Sequence, residues 1–299
     1  MKFSLSTNWC NRRIESGEEI ADKAMELGFE ELELGFHTTQ AQVKGFKARL
    51  DQIPVGSVHA FCPVPISAPQ GYPELYPLAS LDENDRAIAR VHVKKNIEFA
   101  AEMGADAVVL HAGRVMCRGL FRRWDLKRRV KRGQKLVAAF KRELEQMTPI
   151  LEKNRVTLGL ENLPYLEGFP SEAEMKDLVG DWVKPWFDTG HDYVRRTKCW
   201  TTAAADLQPP TSNLQPSTFS LQPSTFNLQP STFNLQPLGL HINDSNGGDD
   251  HLPPGEGKID FAALKPLAGE ARHLVFEPHA EVTEEALKKG LAHIRTLWK

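Results

Sequence analysis

Trp186-Phe187-Asp188-Thr189-Gly190-His191 joins an apolar run to an acid-x-x-His motif. The run Val183–Asp188 reads as a β-strand, so Asp188 and His191 leave its C-terminal end together. Six other strand-like runs also end in, or lead straight into, a His, Asp or Glu. That recurrence shapes the reading of the whole chain.

Upstream of this run, strands are expected over 3–7, 30–34, 55–60, 105–111 and 156–161; downstream they are expected over 238–242 and 273–277. Residues 105–111 are nearly all apolar, as for a strand covered on both faces. Helical periods lie between the strands. Ser16 and Glu19 have capping-box spacing and open a helix ending near Gly28. A second helix is expected over 40–50. A long helix follows a Pro-rich loop and runs to Met103, where Gly104 stops it. Leu136, Phe140, Leu144, Met147 and Leu151 form one apolar helical face. Ser171 and Glu174 repeat the capping-box spacing. A weaker helix is expected over 193–205 and a short one over 260–267, and Leu287, Leu291, Ile294 and Trp298 mark the last.

Eight strand–helix units predict an α/β fold, a (β/α)8 TIM barrel forming a single domain over 1–299. A doubly wound sheet fits less well, because no Gly-rich phosphate fingerprint follows any strand. Residues 207–237 interrupt the pattern with a seven-residue repeat, Leu-Gln-Pro-Ser-Thr-Phe-Asn, intact at 221–227 and 228–234. A proline in every unit excludes a coiled-coil helix. The repeat reads as a low-complexity insertion between helix six and strand seven, on the barrel face away from the strands' C-terminal ends. Without it, the chain has the usual size of roughly 250 residues for this fold.

With 41% apolar and 25% charged residues, the composition is that of a globular protein, and a formal charge of −2 exerts no global pull on nucleic acid or membrane. No run is long and apolar enough to span a bilayer, and the first five residues read as strand rather than as a signal peptide. Four cysteines, Cys10, Cys62, Cys117 and Cys199, lack CxxC spacing, which argues against a disulfide framework or a zinc–thiolate site. A reducing, cytoplasmic setting is expected.

The strand ends supply His59, His111, Glu161, Asp188 with His191, His241, and Glu277, and Asp249 and His251 lie in the loop after strand seven. In a barrel these positions converge on one mouth. Imidazoles and carboxylates without thiolates suit a divalent ion such as Mn²⁺, Zn²⁺, Mg²⁺ or Fe²⁺. A lone strand histidine is more often a hydrogen-bonded core residue than a ligand. Glu161 and Glu277 are harder to explain that way, since each ends a strongly apolar run where an unpaired carboxylate is costly to bury. Asp188 has a second reading, as the cap of the next helical turn. His37, His92, His273, His279 and His293 fit the pattern less well and read as structural or solvated.

Four segments make the pattern specific: Leu160-Glu161-Asn162-Leu163-Pro164, Phe187-Asp188-Thr189-Gly190-His191, Leu240-His241-Ile242-Asn243-Asp244, and Asp249-Asp250-His251 through Gly255-Glu256-Gly257. They resemble the xylose isomerase-like barrel superfamily, which holds sugar and sugar-phosphate isomerases and epimerases and the related apurinic-site endonucleases of family 2. In the epimerase branch, the resemblance implies one metal held by Glu161, Asp188, His241 and Glu277. Glu161 and Glu277 would then remove and return a proton through an enediolate, and His191 would orient the substrate. Further substrate contacts would come from Asn162, His59, His111 and Arg114. In the endonuclease branch, it implies three zinc ions on nine ligands, for which His59, His111, Glu161, Asp188, His191, His241, Asp249, His251 and Glu277 are the candidates.

The basic stretch 114–135, including Arg114, Arg118, Arg122, Arg123, Lys127, Arg128, Arg129, Lys131 and Arg132, reads as a phosphate clamp, a DNA contact or a solvated helix face. The loop after strand seven is acidic, and no second basic patch with interleaved aromatics accompanies the first. A small sugar or sugar phosphate is therefore expected over nucleic acid, and no membrane partner is expected. The alternative activity is a multinuclear zinc phosphodiesterase.

Overall fold

The computed structural model describes residues 1–115, 123–205 and 235–299, with the side chains of 123–127 and 198–205 outside that description. Eight parallel strands close into a barrel. They are β1 (Ser4–Ser6), β2 (Glu31–Leu34), β3 (Val55–His59), β4 (Ala107–Leu110), β5 (Thr157–Glu161), β6 (Val183–Asp188), β7 (Gly239–Ile242) and β8 (His273–Phe276). Each pairs with the next in sequence, and β8 pairs back to β1. The helices are α1 (Gly17–Leu27), α2 (Gln40–Lys47), α3 (Glu83–Glu102), α4 (Arg123–Asn154), α5 (Glu172–Met175), α6 (Thr189–Ala205), α7 (Phe261–Glu270) and α8 (Glu284–Leu297). The repeat therefore lies between α6 and β7; its residues 207–234 are outside the described residues.

Local signals account for most boundaries. The Ser16 hydroxyl accepts from the Glu19 N–H at the start of α1, and Ser171 and Glu174 form a complete capping box on α5. Gly28 and Gly104 follow α1 and α3 at φ of 92° and 77°, where a side chain would be strained. The helix expected from residue 193 starts earlier, at Thr189, because the Asp188 side chain caps it. A short antiparallel ribbon, Gly113–Arg114 against Gly168–Phe169, has no counterpart in the sequence reading.

Trp186 explains the local sequence around the barrel floor. Alternation along β6 turns Trp186 and Asp188 inward, and Trp186 is wholly buried with Ala107, Val109, Leu238 and Val275. Its ring needs glycine on both flanking strands. A Cβ at Gly159 would lie 2.8 Å from it, and one at Gly239 would lie 2.5 Å from it. Burying a Trp removes up to roughly 250 Å² from water, an upper bound on the order of 6 kcal/mol. The result is an apolar floor beneath the strands' C-terminal ends. A second, larger apolar layer lies between barrel and helices, and the face Leu136, Phe140, Leu144, Met147 and Leu151 belongs to it.

Cys10 and Cys62 are buried and unpaired. Cys117 lies outside the described residues, as does the side chain of Cys199. No described helix is long and apolar enough to cross a membrane.

Candidate metal centre at the barrel mouth

His59 ends β3, Glu161 ends β5, Asp188 ends β6 and His241 lies within β7, while His111 and Glu277 follow β4 and β8 by one residue. The barrel register sets Asp188 directly beside His241. Glu161, Asp188, His241 and Glu277 each bring one ligand atom within 4.8 Å of the other three, and all are buried. Nδ1 of His241 lies 3.1 Å from Glu277 Oε2, 3.3 Å from Glu161 Oε1 and 3.7 Å from Asp188 Oδ2. Two ligands at zinc bond length and tetrahedral angle stand about 3.4 Å apart. Nδ1 of His241 and Oε1 of Glu161 are also buried without a hydrogen bond. A divalent cation would satisfy both atoms, so the donor set, the spacing and the orphaned atoms fit such an ion.

Each of the four side chains is held by a partner outside the group. Asp188 performs two tasks at once. Its Oδ1 accepts from the His191 N–H at 2.7 Å, capping α6, and its Oδ2 accepts from Asn243 Nδ2 at 2.8 Å while facing His241. Glu161 Oε2 meets the Nε2 atoms of His59 and His111 at 3.2 and 3.0 Å. Glu277 Oε1 accepts from Asn8 Nδ2 at 3.3 Å. His241 Nε2 lies 3.2 Å from Glu33 Oε2.

Charge compensation follows from these contacts. Burial alone would raise the Glu161 carboxyl, but the neighbouring His111 and His241 outweigh it and hold it well below the usual range. Glu277 is lowered in the same way, by His241 and His251 against burial. Burial pushes Asp188 up, against the pull of His191 and His251. For His191, burial is overcome by Asp188 and Glu161, and the ring rises to about 10. His59 and His241 are raised likewise against burial, chiefly by Glu161 and by Glu277 respectively. Without a cation, protonated imidazoles balance the buried carboxylates.

Other expected site residues fall into place differently. Three further groups of possible ligands overlap the first: His59, His241 and Glu277; His59, His111 and Glu161; and Asp188, His191 and His251. Asp249 joins none of these groups among the described residues; it lies beside Asn246, while Asp250 Oδ2 stands 4.0 Å from His191 Nε2. Asn162, expected at the substrate, spends both ends of its amide on the Asp188 backbone, at 2.7 and 3.0 Å. Arg114 is paired with Glu74 and lies over the Tyr165 ring, so its charge is already neutralised. Arg129 is buried against Glu174 and the carbonyls of Leu166 and Gly168, a structural role. Arg118 and Arg122 lie outside the described residues, as do the side chains of Arg123 and Lys127. Arg128, Lys131 and Arg132 are exposed on α4.

Two residues of the site, Asn8 and Glu33, are absent from the sequence reading, and Asn243 enters it only within the segment Leu240–Asp244, with no role. Glu33 had a signal: Glu31 and Glu33 alternate with Leu32 and Leu34 in a strand covered on both faces, so one set must point into the barrel. The loop carrying His251 is tied down by Asp244, whose carboxylate accepts from the backbone N–H groups of Ser245, Gly255, Gly257 and Ile259. That explains the Gly-x-Gly at 255–257, since a Cβ on Gly257 would lie 2.2 Å from Asp244 Oδ1.

Solved structures share this fold end to end. 3-Keto-D-glucoside 4-epimerase YcjR from E. coli is 17% identical, with 99% of each chain covered and a TM-score of 0.66. D-psicose 3-epimerase with D-tagatose, from Clostridium cellulolyticum H10, is 14% identical over 100% of each chain, with a TM-score of 0.64. The TTHB071 protein from Thermus thermophilus, soaked with zinc chloride, is 22% identical over 99% of this chain and 98% of its own, with a TM-score of 0.60. No curated protein matches the chain by sequence. The model of the xylose isomerase-like TIM barrel family matches residues 21–297, nearly the entire chain with its eight closed strands, and the chain belongs to that family.

Proposed function

We propose that the chain is a metal-dependent sugar isomerase or epimerase, with Glu161 and Glu277 as the proton-transferring pair. The observation that carries this reading is the convergence of Glu161, Asp188, His241 and Glu277 on one buried point, with Nδ1 of His241 facing the three carboxylates. The epimerase names of structures sharing this barrel agree with it.

A divalent ion bound by these four residues would polarise a substrate carbonyl and so acidify the adjacent C–H. Glu161 and Glu277 come from β5 and β8 and flank His241, and both are held ionised, so either can accept a proton. The carboxyl that takes the proton in the first step returns it to carbon in the second, or its partner across the site does so after first taking up a proton from solvent or a substrate hydroxyl, the first carboxyl then losing its own to solvent. Return to the opposite face of the same carbon is epimerisation; return to the neighbouring carbon is isomerisation. His191 donates its Nδ1–H to the Asn162 carbonyl at 3.0 Å, which leaves Nε2 for a substrate hydroxyl. The neutralised Arg114 and the locked Arg129 favour a neutral sugar over a phosphorylated one or nucleic acid.

A second reading, a multinuclear zinc phosphodiesterase, is favoured by the two further ligand groups that share Glu161 and Asp188 with the first. Metal analysis together with a ketose panel tests both. One ion per chain and C–H exchange on a ketose support the isomerase; three zinc ions and cleavage of abasic-site DNA overturn it.

A further inference from the structure

Glu33 sits in β2 with 0% exposure, and none of the chemistry above uses it. A buried carboxylate is costly unless it has partners, and equivalent interior positions hold Val109 and Val275. Its Oε2 takes two contacts, Ser57 Oγ at 2.8 Å and His241 Nε2 at 3.2 Å. The Ser57 hydroxyl donates to this oxygen, and a carboxylate oxygen accepts, so Nε2 of His241 donates its N–H to it as well. That contact turns the ring so that Nδ1 faces Glu161, Asp188 and Glu277.

We infer that Glu33 is the positioning residue of the metal centre. It holds His241 in the Nε2–H form with Nδ1 presented to the ion, and its charge makes that nitrogen a stronger donor. The Ser57 hydroxyl holds the Glu33 carboxylate in turn. The inference rests on the metal site proposed above.

The test uses the full chain, stripped of metal and titrated with Zn²⁺ by calorimetry, in wild type, Glu33→Leu, Glu33→Gln and Asp188→Asn. Glu33→Leu removes acceptor and charge, and its zinc affinity is expected to fall by roughly 10–100-fold. Glu33→Gln keeps an acceptor oxygen and is expected to fall between Glu33→Leu and wild type; it carries the test if the leucine variant does not fold. In ¹⁵N-histidine spectra of the zinc-loaded protein, the His241 Nε2–H is expected to be shifted downfield and protected from exchange in wild type. That signature should be absent in Glu33→Leu and partly kept in Glu33→Gln. Unchanged affinity in the folded variants, or an exchange-exposed Nε2–H in wild type, overturns the role of Glu33 while the metal site stands. A wild-type chain that takes up no zinc overturns both.

Discussion

Replacing Asp188 by Asn separates its two tasks. The oxygen that caps α6 is retained, while the charged oxygen facing His241 becomes an amide NH₂. That NH₂ meets the NH₂ of Asn243, which now donates to Asp188 at 2.8 Å. Two facing donors cost about 1–3 kcal/mol, partly offset because a buried carboxylate whose pKa burial raises is gone. The baseline stability therefore drops modestly. The informative quantity is the increment on adding metal. A ligand at about 1,000 times its Kd stabilises by roughly 4 kcal/mol. At about 2–4 °C per kcal/mol for a domain approaching this size, wild type should gain roughly 8–16 °C on saturation with zinc. Asp188→Asn should gain less than about 2 °C, an affinity loss that leaves little site occupancy under the same conditions. Differential scanning calorimetry of metal-stripped and zinc-loaded protein measures both increments, and the baseline cancels within each variant. If the Asn variant shows the wild-type increment, the four-residue centre is wrong and the ion, if any, sits elsewhere.

Glu161→Gln and Glu277→Gln should each abolish substrate C–H exchange while circular dichroism stays native; full exchange in either removes that residue from the proton-transferring pair. Zinc uptake should release protons from the imidazoles that balance the carboxylates, so apparent affinity should rise with pH between about 6 and 8, by about tenfold per unit for each proton displaced; a flat profile contradicts the charge compensation. His191, raised to about 10 in the folded chain, contributes stability that is complete below its unfolded pKa of about 6.5 and fades as pH rises through about 10, so the metal-free protein should melt at lower temperature at pH 10 than at pH 7. Gly239→Ala would place a Cβ 2.5 Å from the Trp186 ring and should cost about 1–3 kcal/mol by chemical denaturation. Deleting 207–234 while keeping Leu235, which packs on the core, should leave turnover nearly unchanged; lost turnover with an intact fold would place the repeat at the active face.

Legibility tracked how local each determinant is. The N-cap at Ser16, the capping box at Ser171, the glycine stops at 28 and 104, and the apolar stripe on α4 each act within a few residues, and they lie where pattern and turn chemistry put them. Asp188 shows where local reasoning reaches its limit: capping and ligation read as alternatives, yet a carboxylate has two oxygens, and one caps α6 while the other faces His241. Asn162 and Arg114, expected at the substrate from the resemblance, meet partners from other units of the barrel, the Asp188 backbone and Glu74.

The periodicity of the chain alone determined the eight strand–helix units and the ring of chemical groups at the strand ends, because alternation and helix signals are written in adjacent residues. Tertiary closure decided which groups meet. It brought Asn8 to Glu277 across 269 positions and Glu33 to His241 across 208, contacts that depend on barrel register and strand twist rather than on any short-range pattern.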